Sequence, residues 1–323
     1  MISPDVLRLD PAASVESIAA ILRRQVMGDL HRRGAVVGVS GGVDSAVVAA
    51  LCARALGKER VLALFMPERD SSADSLRLGR MLTERLGIPS LVEDIAPALQ
   101  GIGCYARQVA AIREVFPAYG EGWRCKLTLP PILDSERLNV FQLTVQSPTG
   151  EQHTSRMPAA AYLALVAATN LKQRVRKTIE YTHADRLQYA VAGTPNLLEY
   201  DQGFFVKQGD GAADVKPIAH LYKTQVYQLA EYLGVPEEIR SRPPTTDTYS
   251  MEQTQEEFYF ALPWNRMDLC LWAHDHGVLP VEAAPALQIT EAQAARIYKD
   301  IDNKRRTTRY LHQPPLMIAP RQG

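Results

Sequence analysis

The chain has 323 residues, 46% of them hydrophobic, enough for one large domain or two small ones. Lysine plus arginine and aspartate plus glutamate each number 36, so no global field favours nucleic acid or an anionic membrane surface. Four cysteines (Cys52, Cys104, Cys125, Cys270) show neither CxxC pairing nor regular spacing, which points to structural thiols in a reducing cytoplasm rather than to disulfides or zinc. Near the start, Asp5, Asp10 and Glu16 replace the basic and apolar run of a leader, so no signal peptide is expected. Residues 11–33 read as an amphipathic helix with Ile18, Leu22 and Val26 on one side. Ala35-Val36-Val37 is a buried strand, residues 38–45 a glycine-rich turn, and the following apolar run a helix stopped by Gly57. Residues 60–67 and 91–95 are further strands, with a helix over 72–86 that Gly87 stops. Strands alternating with such helices predict a parallel sheet covered on both faces.

Residues 101–158 break that rhythm. They hold Trp123, the Pro130-Pro131 pair, an alternating stretch over 138–145 and the turn signal Ser147-Pro148-Thr149-Gly150, and predict a β-hairpin or small inserted subdomain. The apolar run 159–168 is too short to span a bilayer and starts a helix reaching about Thr182. Residues 187–192 make another strand, 203–214 a polar glycine-rich loop, and 221–233 a helix stopped by Gly234. From Pro243 the chain is expected to be irregular, then helical over 290–300, before the basic Lys304-Arg305-Arg306. With no internal repeat or low-complexity linker, one domain over 1–323 with an insertion at 101–158 is the expected organisation. His153, His183, His220, His274, His276 and His312 form no metal-ligand pattern, and Trp264 and Trp272 read as packing residues.

The stretch that carries chemistry is Gly38-Val39-Ser40-Gly41-Gly42-Val43-Asp44-Ser45. Paired glycines turn backbone N–H groups inward, and the next helix adds positive partial charge, making an anion cradle suited to phosphate. A Walker-type lysine is missing and Asp44 stands in the loop instead. A carboxylate beside a phosphate repels it unless a cation lies between them, so Mg²⁺ is inferred to bridge Asp44 and a nucleotide phosphate.

Ser40-Gly41-Gly42-Val43-Asp44-Ser45 resembles the signature of the N-type ATP pyrophosphatases, which cleave ATP between its α and β phosphates to activate a carbonyl or carboxylate as the adenylate. The second half narrows the resemblance. Gly193-Thr194-Pro195-Asn196-Leu197-Leu198-Glu199, the Gly203–Gly211 loop, Asp214, Pro217-Ile218, Leu221-Tyr222-Lys223 and Pro244-Thr245-Thr246-Asp247 are similar to the NAD synthetase family, as is Asn170–Arg176. The resemblance covers residues 14–95 and 165–310 and implies a Rossmann-like, adenine nucleotide alpha hydrolase-like α/β fold. It implies that residues 38–45, Thr194, Lys223 and Thr245 bind ATP and that Asp44 and Glu199 hold Mg²⁺. Asp44 and Lys223 would carry catalysis, Lys223 meeting charge that builds on the phosphates. Arg174, Lys207, Asp214 and Lys304 would contact the acceptor, nicotinic acid adenine dinucleotide (deamido-NAD). A cytoplasmic homodimer is implied, with small-molecule substrates and no nucleic-acid or membrane partner. The stretch ahead of the loop is too short for the amidase domain of glutamine-dependent members, so direct use of ammonia is expected.

Several positions depart from the family. Pro195 stands where an Asp is frequent, Gln255 replaces an acid, and Phe258-Tyr259-Phe260 stand where small residues are usual. Asn303 precedes Lys304 where a His is usual, and residues 101–158 exceed what the fold needs between strand and helix. The aromatic residues near Phe258 and the insertion motivate one alternative, an amide-forming ligase of the same fold acting on another carboxylate; a second, a catalytically silent nucleotide-binding partner, is opposed by the presence together of Asp44, Glu199, Lys223 and Thr245.

Overall fold

The apolar run ahead of the glycine turn becomes the centre of a parallel sheet. In chain order the strands are β1 (Ala35–Gly38), β2 (Val61–Phe65), β3 (Ser90–Val92), β4 (Arg124–Thr128), β5 (Gln142–Gln146), β6 (Gln152–Arg156) and β7 (Ala190–Ala192). The helices are α1 (Pro11–Arg23), α2 (Val43–Leu56), α3 (Ala73–Leu86), α4 (Ala96–Gly101), α5 (Cys104–Arg113), α6 (Ala159–Leu187), α7 (Leu197–Asp201), α8 (Lys223–Tyr232), α9 (Glu237–Arg240), α10 (Trp264–Asp275), α11 (Pro280–Leu287) and α12 (Glu291–His312). The computed structural model describes residues 2–129, 141–245, 249–260 and 262–318. Pro130, Pro131, Leu138, Asn139, Val140, Thr246 and Asp247, named above, lie outside them.

The sheet has the order β3-β2-β1-β7, all parallel, with Ala35 beside Val61 on one side and Ala190 on the other. Alternation of side chains decides which layer each residue enters. Ala35, Val37, Ala63 and Phe65 join a core with α1, α2, α3 and α8. Val36, Leu62, Leu64 and Val191 face the other way, onto Ile179, Ala184 and Leu187 of α6. Burial on both faces is why these strands are apolar throughout instead of alternating.

Helix α6 has 29 residues, so it is about 43 Å long. Its C-terminal turns lie on the sheet, while Ala161 and Leu165 near its start pack against the second, antiparallel sheet. That sheet has the order β4-β5-β6 and lies where a hairpin or small subdomain was expected, with three strands. One helix therefore spans two cores. A third core, built by α7, α10, α11 and α12, also takes in Leu7.

Several boundaries differ from expectation for physical reasons. The first helix is α-helical only to Arg23 and widens into a π-turn over Arg24–Asp29. Helix α6 continues past Thr182 to Leu187, where Gln188 takes a left-handed conformation, so β7 starts only at Ala190. The expected irregular tail contains α10 and α11, whose flanks Pro263 and Leu279 supply no side-chain cap of the Ser, Thr or Asp kind. Helix α12 runs well beyond Asp300, to His312. All four cysteines are buried with free thiols.

The loop after β2 is tied to α6 by buried charge. Lys172 Nζ donates to Glu68 Oε1 at 2.9 Å and to Asp70 Oδ2 at 2.7 Å, and the Tyr105 hydroxyl donates to Glu68 Oε2 at 3.0 Å. Burial opposes the charge on Asp70, yet Lys172 and Arg69 hold its carboxyl below the usual carboxylate range. Lys172→Met would strand two carboxylates away from water. Urea unfolding should show a loss of roughly 3–5 kcal/mol, and an unchanged midpoint would contradict this account of the loop.

Candidate active site

The glycine turn leaves β1 at the carboxyl edge of the sheet, where ligands bind in open α/β folds. Val39 N donates to Leu64 O at 2.9 Å, so the turn starts from a fixed strand end. Ser45 Oγ donates to Gly42 O at 3.0 Å and accepts from Ser40 N at 3.2 Å, which closes the loop on itself. Gly41 has φ of +82°, and a Cβ there would lie 2.8 Å from the Ser75 carbonyl, so both the backbone conformation and the approach of α3 require glycine. Gly42 caps α2 without a side-chain bond, leaving the first N–H groups of that helix directed at the loop. A cradle for anions results.

Asp44 lies in the first turn of α2 and ties it to two other elements. Its Oδ2 pairs with Lys223 Nζ, at the start of α8. Its Oδ1 accepts from Asn196 Nδ2 at 3.0 Å. Asn196 caps α7 through a reciprocal box: its Oδ1 accepts from Glu199 N at 3.1 Å, and Glu199 Oε2 accepts from Asn196 N at 3.2 Å. Glu199 Oε1 then accepts from Gln255 Nε2 at 2.8 Å. The two expected metal carboxylates thus share one residue, Asn196, whose side-chain amide bonds Asp44 and whose backbone N–H bonds Glu199. Burial, followed by repulsion from Asp44, pushes the Glu199 carboxyl up to about 7. Burial acts against the charge on Lys223, but Asp44 and Glu199 overcome it and raise the ammonium to about 12. Two neighbouring carboxylates against one lysine leave this corner of the cavity with surplus negative charge, although the wall as a whole carries six lysine and arginine side chains against four carboxylates.

That surplus tests the fit of a metal. Among the described residues no group of three or more His, Cys, Asp and Glu side chains is placed to hold one. Two carboxylates are oxygen donors of the kind Mg²⁺ takes, and the rest of its shell would come from outside the protein. Asp44 and Glu199 fit that ion.

Lys223 is itself positioned. Asp268 of α10 is fully buried, and its Oδ2 accepts from Thr224 N at 2.7 Å and Thr224 Oγ1 at 2.8 Å. It caps α8 from outside and fixes the backbone next to Lys223.

Asp44, Glu199, Lys223 and Gln255 line a cavity of about 520 Å³ whose wall also includes Gly38, Val39, Ser40, Gly42, Val43, Ser45, Thr194, Thr245, Arg174 and Lys207. The expected ATP residues are therefore brought together, with Gly41 behind the wall, against α3. The acceptor set divides. Arg174 and Lys207 are on the wall, with Arg174 Nε donating to Lys207 O at 3.3 Å and Lys207 Nζ donating to Tyr310 O at 2.7 Å. Asp214 is not on it: its carboxylate accepts from Val191 N at 2.7 Å and from the Tyr181 hydroxyl at 3.3 Å, a brace for β7. Lys304 is also away from it, bonded to Asp300 at 2.8 Å and Tyr259 O at 2.9 Å, with burial lowering its proton affinity. Asn196, Asp268 and the buried Lys177–Glu180 pair had no assigned role in the sequence reading; the last two line the cavity at 2.6 Å from each other. Asn196 did carry a signal, since Asn followed by Glu three residues later is a capping-box pattern.

An anion loop at the carboxyl edge of a four-stranded parallel sheet, with acid and lysine converging on it, defines an α/β nucleotide-binding protein of the Rossmann-like, adenine nucleotide alpha hydrolase type. More narrowly, the chain belongs to the NAD synthase family, which it matches at residues 14–113 and 137–314. It is 64% identical over 312 residues to an NH(3)-dependent NAD(+) synthetase of Mesorhizobium japonicum, covering 97% of this chain and 98% of that protein. It is 58% identical over 319 residues to an NH(3)-dependent NAD(+) synthetase of Rhizobium rhizogenes, covering 99% and 96%. Among solved structures, an NMN synthetase from Francisella tularensis shares the fold with TM-score 0.66 at 22% identity, covering 97% of this chain and 100% of that one. An NH3-dependent NAD synthetase from Campylobacter jejuni does so with TM-score 0.62, also at 22% identity, covering 96% and 100%.

Burial raises the Asp268 carboxyl to about 6, against its Thr224 and Lys223 contacts. Folded Asp268 thus binds its proton more tightly than the unfolded chain does, near 3.9. Its contribution to stability is full below that unfolded value and is lost as pH rises through about 6. Asp268→Asn removes this loss, so its stability relative to the parent should shift in its favour by roughly 2–3 kcal/mol between pH 4 and pH 8. A difference that stays constant with pH would show that Asp268 does not titrate there.

Proposed function

We propose that this chain is an ammonia-dependent NAD synthetase. It would amidate deamido-NAD to NAD⁺ at the expense of ATP, releasing AMP and pyrophosphate. The observation that carries the reading is the convergence of the anion loop, Asp44, Glu199 and Lys223 on one cavity that also holds Arg174 and Lys207, in a chain of this family.

The chemistry joins two anions, a carboxylate and a polyphosphate, so fixed positive charge is its first requirement. The loop N–H groups and the N-terminus of α2 would hold ATP by its phosphates, with Thr194 and Thr245 as further contacts. Lys223, kept charged by Asp44 and Glu199, would meet the negative charge that grows as pyrophosphate departs. Asp44 and Glu199 would hold Mg²⁺, which supplies further neutralisation of phosphate charge when bound. Arg174 and Lys207 would orient the acceptor so that an oxygen of its nicotinate carboxylate attacks the α-phosphorus. The α–β bridge bond breaks, pyrophosphate leaves, and an acyl adenylate remains. The lone pair of ammonia then attacks the acyl carbon, the bond to the AMP oxygen breaks, and loss of a proton from nitrogen gives the amide. No residue need become covalently attached; positioning and charge carry the reaction.

A homodimer in the cytoplasm, one domain over 1–323 and an insertion at 101–158 complete the reading. Support comes from the family resemblance and from four buried free thiols, which suit a reducing compartment. Among the described residues no helix is long and apolar enough to cross a membrane. Asp214 and Lys304 enter as acceptor contacts only through rearrangement of the bonds described above.

Purified protein given Mg-ATP, ammonium and deamido-NAD should release NAD⁺ and AMP in equal amounts, with no AMP when the acceptor is omitted. ATP binding without AMP release would move the reading to another carboxylate acceptor. Asp44→Asn keeps the shape of the side chain but removes its charge, and should cut AMP formation by roughly 10²- to 10³-fold with the melting curve preserved. Normal turnover of that variant would remove Asp44 from the metal site.

A further inference from the structure

Glu199 sits in a helix too short to hold its own direction. Helix α7 has five residues, and a helix of that length closes too few internal bonds to be stable by itself. Its start is held by Asn196, which is bonded to Asp44. Its end is held by Asp201, the last residue of α7. Both oxygens of Asp201 accept from Arg305 Nε of α12, at 3.0 and 2.9 Å. The other two guanidinium nitrogens take Asp275, the last residue of α10: Nη1 lies 2.8 Å from Oδ1, and Nη2 donates to Oδ2 at 3.0 Å. Burial opposes the charge on Asp275, yet Arg305 holds its carboxyl below the usual carboxylate range. The same helix closes the exit from α7, since a Cβ on Gly203 would lie 2.3 Å from Thr308 Cβ.

Helix α10 thereby anchors both sides of the charge cluster. Asp268 caps α8 beside Lys223. Asp275, about two turns further along α10, takes Arg305 and through it Asp201 and α7. The separation of Lys223 and Glu199 is thus referred to one element. We propose that Arg305 is a positioning residue for the reaction: clamped between Asp201 and Asp275, it holds α7 so that Glu199 stays beside Asp44 and the two carboxylates can take one divalent cation together. The inference rests on the metal role given above to Asp44 and Glu199. Arg305 itself is away from the cavity wall, so it acts through α7 and not on a ligand. Its residue type suits the task. The planar guanidinium gives a two-pronged grip to Asp275 and keeps a third N–H for Asp201, a division that a single ammonium cannot make.

Groups that orient a metal's ligands change metal affinity by roughly 10- to 100-fold when removed, and Arg305 acts one step further out. The test is calorimetric binding of ATP in the absence of acceptor, once with Mg²⁺ and once with EDTA. Arg305→Gln should weaken binding of Mg-ATP about tenfold and leave binding of metal-free ATP within about twofold of the parent. Asp201→Asn breaks the same clamp from the other side with little change of shape, and should show the same selective loss. The double variant should lose little more than either single one, because both remove one interaction. Unchanged Mg-ATP binding, equal losses with and without metal, or losses that add in full would overturn the proposal. Asp201→Asn carries the test if Arg305→Gln does not fold. A parent protein that binds ATP equally well in both conditions would instead refute the metal role of Asp44 and Glu199, before any variant is compared.

Discussion

Lys223, almost wholly buried, paired with Asp44 and held charged also by the nearby Glu199, is the contact on which the rest of the site depends. Removing three charges from water is costly, and their mutual attraction offsets that cost only when every remaining polar atom is engaged. The surrounding bonds go far towards that condition: Asn196 joins both acids, Gln255 takes the outer oxygen of Glu199, and Asp268 fixes the first turn of α8 through Oδ2, its Oδ1 having no hydrogen-bond partner. Each of these partners belongs to a different element, so α2, α7, α8 and α10 are locked together at one point above the sheet. The cluster remains short of positive charge. A cation and the phosphates it accompanies are what such a pocket is suited to receive.

Helix α6 connects this centre to the rest of the molecule. Its lower turns cover the sheet, its middle turns present Arg174 and Lys177 to the cavity, and its upper turns leave the sheet and carry the antiparallel strands. A parallel sheet offers binding groups only at its carboxyl edge. The long helix extends that edge into a wall of the cavity. Family matching passes over residues 114–136, which include β4, and resumes before β5.

Much of this was legible in the order of residues alone. Residues 35–37 and 61–65 are apolar without alternation, as buried parallel strands must be, and Gly41, Gly42 and Asp44 announced an anion loop with an acid in it. The antiparallel sheet was half visible because β5 places Leu143 and Val145 inward, whereas β6, Gln152-His153-Thr154-Ser155-Arg156, is polar throughout and mostly exposed. Helices α10 and α11 escaped because their starts lack hydrogen-bonding caps and their apolar residues answer to a core assembled from distant parts, down to Leu7. Asp214 and Lys304 show the limit most clearly. Their partners, Val191 and Tyr259, are placed by tertiary folding, and no local pattern reveals that a charged side chain is already engaged. Asp268 was invisible for the same reason, 44 residues from the helix it caps.

The central claim is that this charge cluster directs a carboxylate oxygen onto the α-phosphorus of ATP. Isotope transfer tests it most directly. Deamido-NAD labelled with ¹⁸O in its nicotinate carboxylate would be converted with ammonium and Mg-ATP, and the phosphorus products followed by mass spectrometry. The account predicts one labelled oxygen in the phosphate of AMP and none in pyrophosphate. Label in pyrophosphate or inorganic phosphate, with unlabelled AMP, would place the attack on a different phosphorus and contradict it.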